Sequence, residues 1–143
     1  MPTTLADHVR LTASFERMFA LLRRLNPPQE VSLTAASTLR TLERSGPHRI
    51  SELAVREDVT QPAMTQVVSR LERDGLALRC PDRADGRVVM VQITAGGRDL
   101  LRRRRSARAE KLFDLTARLD PAEREAIMAA LPALYRLADL LSQ

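Results

Sequence analysis

The sequence is poor in the residues on which most enzymes and metalloproteins depend. Among 143 residues there is one cysteine, Cys80, no tryptophan and one tyrosine, and histidine occurs only at positions 8 and 48. A lone cysteine excludes an intrachain disulfide. Two histidines, one cysteine and no glycine-rich phosphate cradle leave no recognisable nucleophile or metal quartet. We therefore expect no enzyme, no metal and no cofactor. A metal-responsive site from Cys80, His8 and His48 would require remote parts of the chain to converge. Long apolar runs are missing as well, so no membrane association is expected. The first ten residues place Asp7 and His8 where the apolar region of a signal peptide would begin, and a cytoplasmic location is expected. Lysine is almost absent, Lys111 being the only one. Even so, Lys and Arg total 23 against 18 Asp and Glu, a formal charge of +5. That balance favours an anionic partner, nucleic acid before membrane.

What is present is mostly helical pattern. Hydrophobic residues make up 44% of the chain, enough for one domain spanning 1–143 with a core of Leu, Ala, Val and Met. Leu5, Val9, Phe15, Met18, Phe19, Leu22 and Leu25 recur at helical spacing until Pro27 and Pro28 force a stop, and Pro27–Ser32 reads as a connector. Ser32 or Thr34 should cap a second helix, ended by Ser45-Gly46-Pro47. Ser51 is expected to cap a short third helix with Glu52 in its first turn, and Glu57-Asp58-Val59 to make a turn. Thr60 should cap a fourth helix with Pro62 in its first turn and Gly75 at its end. Leu76, Leu78 and Cys80 alternate with Ala77 and Arg79 as in a strand with one buried face, and Val88–Ile93 is β-branched enough to pair with it. The charged stretch between them, 81–87, is turn-forming. After the Gly96-Gly97 pair a long helix capped by Thr94 should run to about Leu119. Its Arg102–Arg105 run points all around the axis and reads as mainly solvated. Asp120-Pro121-Ala122-Glu123 opens a last helix carrying Ile127, Leu131, Leu134, Leu137, Ala138 and Leu141.

The stretch Ile50–Gly97 thus has the order helix, turn, helix, basic hairpin. This is the outline of a winged helix-turn-helix, in an otherwise mainly α chain. In the fourth helix Met64, Val67, Val68 and Leu71 fall on one face, and short polar side chains lie opposite near the N-terminus. Gln61 and Gln66 suit adenine edges, and Thr65 and Ser69 suit bases or phosphates. Thr60 and Pro62 shape the helix start, and Arg70 and Arg73 suit phosphates. At the hairpin tip, Arg83 and Arg87 are placed to enter a minor groove, with Asp85 steadying Arg87 by a charge-assisted bond. Taken alone, the helix reads equally as a solvated surface helix and the hairpin as a solvated turn. Their order along the chain favours double-stranded DNA.

Two motifs carry a more specific likeness. Thr60-Gln61-Pro62-Ala63-Met64-Thr65-x-x-Val68-x-Arg70-Leu71-Glu72-x-x-Gly75 resembles the recognition helix of the MarR family of bacterial transcription regulators. Asp82-x-x-Asp85-Gly86-Arg87-x-x-x-Val91-x-Ile93-Thr94-x-x-Gly97 is similar to that family's wing and following helix. The resemblance implies a lobe at 32–94 that binds DNA. It also implies terminal helices, 1–28 and 95–143, that interlock in a homodimer on a pseudo-palindromic operator. Leu5, Val9, Leu131, Leu134, Leu137 and Leu141 are the interface candidates, since the terminal helices carry more leucine than so small a core can bury. Family members often respond to small aromatic or phenolic acids. For such an effector His8, Arg10, Phe15 and His48 are the candidates, although each also reads as ordinary surface or core. Cys80 reads as a small buried residue rather than a redox sensor. The resulting expectation is a repressor released by a small ligand. The alternatives are a winged-helix protein that binds DNA architecturally or with weak specificity, a protein-binding module, or a metal-responsive regulator.

Overall fold

Side chains that cap helices set most of the boundaries in the computed structural model, which describes residues 3–26 and 31–140. Thr4 and Asp7 form a reciprocal capping box that opens α1 (Leu5–Leu25). The Asp7 carboxyl accepts the Thr4 backbone N–H and hydroxyl, which holds its pKa below the ordinary carboxylate value. The stabilisation of this helix end is therefore present above the ordinary carboxylate range and lost as pH falls through the lowered value. The expected connector at Pro27–Ser32 lies mostly outside the described residues. Ser32 accepts the Ala35 N–H at 3.1 Å and opens α2 (Leu33–Ser45).

The short α3 (Ile50–Arg56) starts one residue earlier than its expected cap. Position 49 is the N-cap, and Glu52 reaches back to the Arg49 N–H at 2.9 Å, so Ser51 lies inside the first turn. Thr60 caps α4 (Gln61–Arg73) by accepting the Ala63 N–H at 3.3 Å. Between α3 and α4, Asp58 holds φ at +52°, a left-handed turn conformation that Asp tolerates better than most residues. Gly75, with φ +72°, ends α4 in the same region without a Cβ penalty.

Strands β1 (Ala77–Pro81) and β2 (Val89–Ile93) pair antiparallel, with Ala77 opposite Ile93, Arg79 opposite Val91 and Cys80 opposite Met90. The buried phase of β1 is the reverse of the expected one: Ala77 is buried, whereas Leu78 is exposed and Cys80 only half-buried. Leu76 belongs to the turn, its N–H bonded to the Leu71 carbonyl. Val91 and Ile93 must face the core, and the register places Ala77 and Arg79 on their side. His48 adds an isolated bridge to Val91, N–H to O in both directions at 3.1 and 2.8 Å.

Helix α5 (Ala95–Thr116) contains the Gly96-Gly97 pair in its first turn rather than following it. Thr94 accepts the Gly97 N–H at 3.1 Å and donates to the Gly75 carbonyl at 2.6 Å, which fastens the start of α5 to the end of α4. Within the arginine run Arg104 is buried, so that stretch is not simply a solvated one, while Arg105 lies 3.6 Å from Glu43 of α2. Asp120 and Glu123 form the expected capping box of α6 (Pro121–Asp139), which continues through Pro132.

The chain divides into two units, Met1–Ala107 and Arg108–Gln143, with the boundary inside α5. The core belongs to the first. Leu39, Leu53, Met64, Val68 and Val91 are wholly inaccessible, and Leu42, Leu71, Leu100 and Leu101 nearly so. Burial of each such side chain contributes roughly 1.5–3 kcal/mol, and together they seat α4 and the hairpin on one scaffold.

Candidate nucleic-acid interface

Helix α4 buries Met64, Val68 and Leu71 and leaves its other side to solvent. Thr60, Gln61, Pro62, Thr65, Gln66, Ser69, Arg70 and Arg73 are all exposed, so the residues expected to meet DNA share one helix and its cap. Helical spacing puts Pro62, Gln66 and Arg73 directly opposite the core, Thr65 and Ser69 on one flank and Arg70 on the other. The Thr65 hydroxyl donates to the Gln61 carbonyl at 2.9 Å, so on this exposed side chain only its lone pairs are left for a partner. Arg73 and Asp74 lie 3.7 Å apart and are both well exposed, an ion pair of little energetic weight.

The hairpin that follows projects a charged tip. Its mouth closes through Asp82 N–H to Val88 carbonyl at 2.8 Å and Val88 N–H to Asp85 carbonyl at 2.9 Å. Asp82 accepts the Ala84 N–H at 3.0 Å and Asp85 accepts the Arg87 N–H at 3.1 Å. Asp85 thus shapes the turn through the backbone N–H of Arg87, in place of the charge-assisted bond to its side chain that the sequence suggests. Arg83 and Arg87 themselves are exposed.

Sequence reasoning passed over the pair that joins helix to hairpin. Glu72 accepts the Arg79 backbone N–H at 3.0 Å and also its guanidinium Nη1. Arg79 Nη2 in turn donates to Ser69 Oγ at 3.2 Å. A carboxylate seven residues before an arginine across a turn has no local signature, so only the fold brings the two together.

The four effector candidates are not gathered at one opening. His8, Arg10 and Phe15 lie along the exposed α1, with the His8 ring bonded to the Thr4 carbonyl at 2.7 Å. His48 is buried, its ring nitrogen 2.8 Å from the Gly46 carbonyl, and serves as a packing and bridging residue. A cleft of about 400 Å³ is lined instead by Ala20, Arg23, Arg24, Asn26 and Leu33, where α1 ends and α2 begins. Cys80 is half-buried, on the wall of an open depression with Met90 and Arg83. Among the described residues no three His, Cys, Asp or Glu side chains gather to hold a metal ion, and no helix is long and apolar enough to cross a membrane. Of the interface candidates, Leu5 is 82% exposed and Val9 63%; Leu134 and Leu137 are exposed on α6, Leu131 is half-buried, and Leu141 lies outside the described residues.

A capped helix with a polar outer face, packed against a second helix and followed by an arginine-tipped hairpin, defines a winged helix-turn-helix protein of the DNA-binding class. The chain belongs to the MarR family of transcriptional regulators. The family's model matches residues 31–89, and an HTH-type transcriptional regulator of Mycobacterium tuberculosis is 36% identical over 129 residues, 90% of each chain. The fold is shared with a MarR family protein from Bacillus stearothermophilus, with a TM-score of 0.76 at 18% identity over 99% of this chain and 100% of that one. It is also shared with BpsR of Bordetella bronchiseptica, whose DNA binding is regulated by 6-hydroxynicotinic acid. There the TM-score is 0.58 and the identity 23%, over 94% of this chain and 98% of that one.

Proposed function

We propose that the protein is a sequence-specific repressor that binds a pseudo-palindromic operator as a homodimer and is released by a small acidic ligand. The observation that carries the reading is the outer face of α4. Gln61, Thr65 and Gln66 are solvent-exposed in its N-terminal half, beside a hairpin that carries Arg83 and Arg87 at its tip. An α-helix of this kind fits the major groove, and wing arginines fit the flanking minor groove. The dimer is supported by exposed Leu5, Val9, Phe15 and Phe19 on α1 and by exposed Ile127, Leu134 and Leu137 on α6, an apolar excess that a monomer would leave in water. The effector is supported by the cleft at Arg23, Arg24 and Leu33, which offers two cations and apolar wall, and by the aromatic acid that regulates BpsR. In such a mechanism the ligand changes the separation of the two recognition helices.

The test is selection of duplexes from a random-sequence pool by the purified protein. The reading expects enrichment of an inverted repeat with half-sites about one helical turn apart, roughly 34–36 Å. Uniform recovery would replace it with the architectural reading. The effector is tested separately, by titrating 6-hydroxynicotinic acid and benzoic acids into the selected complex. If none of these acids releases the DNA, the proposed ligand class is wrong.

A further inference from the structure

The bonds between α4 and β1 do more than fasten the hairpin. Arg79 lies mid-strand opposite Val91, and Glu72 holds it at two points, the backbone N–H and guanidinium Nη1. The remaining arm, Nη2, donates to Ser69 Oγ at 3.2 Å. A guanidinium has donors and no acceptor, whereas a serine hydroxyl has one O–H and two lone pairs. The Ser69–Arg79 bond can therefore have only one polarity, with Ser69 accepting. Its own O–H is left to donate, on an exposed side chain of the face proposed to meet DNA. One turn earlier Thr65 is arranged differently, its O–H spent on the Gln61 carbonyl and its lone pairs free. The Thr65 hydroxyl is thus left with acceptor capacity only, whereas Ser69 keeps its O–H and one lone pair.

We infer that Arg79, anchored by Glu72, is a positioning residue that holds Ser69 Oγ in place with its O–H free to donate in operator recognition. Ser69 then seeks an acceptor on DNA, either a phosphate oxygen or a base edge such as guanine O6 or N7 or thymine O4. The inference rests on the operator-binding reading above.

The experiment uses the full chain and the duplex that the parent protein enriches from a random pool. Dissociation constants are measured for Ser69→Ala, Arg79→Met and the double variant. Each single change should weaken binding about tenfold. The double variant should be little weaker than either, because Arg79 acts through Ser69. Losses that multiply to about a hundredfold would overturn the inference, since independent sites combine additively in free energy. If Arg79→Met does not fold, Glu72→Gln runs the same cycle with Ser69→Ala and should cost nothing further in that background. Repeating the selection with Ser69→Ala locates the acceptor. Lost preference at one symmetric base pair places it on a base edge, and a uniform loss with an unchanged motif places it on phosphate. An unchanged affinity and motif would sink the donor role. If the parent enriches no motif, the operator reading fails, and Ser69→Ala binding random duplex as the parent does would then sink the donor role as well.

Discussion

A Cβ at Gly97 would lie 2.2 Å from the Leu76 carbonyl oxygen and 2.7 Å from Ile93 Cγ1. The obstacle is backbone, which cannot swing aside as a long side chain can. Gly97→Ala should therefore destabilise the protein by about 2 kcal/mol, within the usual range for overpacking, as read by denaturant unfolding. A loss below about 0.5 kcal/mol would mean that α5 can shift away from the α4–β1 turn more easily than the Thr94 bonds suggest. Arg87 lies at the other extreme of constraint, with its backbone fixed by Asp85 and its side chain in solvent. Arg87→Ala should leave folding intact, weaken DNA binding, and reduce the salt slope of log K for the proposed homodimer by about 2, one phosphate-type contact being lost from each protomer. An unchanged slope would remove Arg87 from the interface.

At the scale of elements, what was legible in the sequence is what local chemistry decides. Ser32, Thr60 and Asp120 read as helix starts because a hydroxyl or carboxylate meets N–H groups two or three residues on. The polar face of α4 was legible because its apolar positions repeat at helical spacing. The phase of β1 was not. Leu76, Leu78 and Cys80 look like a buried row, yet the register set by Val91 and Ile93 turns Ala77 inward. The same holds for the bridge of His48 to Val91, the burial of Arg104 and the Glu72–Arg79–Ser69 chain, each of which depends on partners far along the sequence or across a turn. The β1 phase can be tested directly. Ala77→Leu should cost about 1–3 kcal/mol by overpacking, while Leu78→Thr should fall within about 0.5 kcal/mol, as surface changes do. Thermal or denaturant unfolding would distinguish them, and the reverse ranking would restore the phase that the sequence pattern suggests.

For the whole molecule, the balance between buried and exposed apolar surface is the informative feature. No residue of α6 between Pro121 and Asp139 is buried, and α1 buries only Leu25, although both helices carry large apolar side chains. In the proposed homodimer a second copy of the chain would cover these faces. Leu134→Glu with Leu137→Glu should convert the protein from twice the chain mass to monomers in sedimentation, with loss of operator binding. A double variant that stays dimeric would place the interface elsewhere.

If α4 reads base sequence once in each half-site, as proposed, a Gln66 variant should show it. Selection from a random pool would be run in parallel on the parent protein and on Gln66→Ala. Gln66 is exposed opposite the core of α4, and a glutamine matched to an adenine edge is worth roughly 1–3 kcal/mol of discrimination. On that proposal the variant should retain an inverted repeat of the same spacing and lose preference at one base pair in each half, at symmetry-related positions. An identical motif from both proteins would contradict it, because the side chain most squarely presented by the helix would then have no part in the reading.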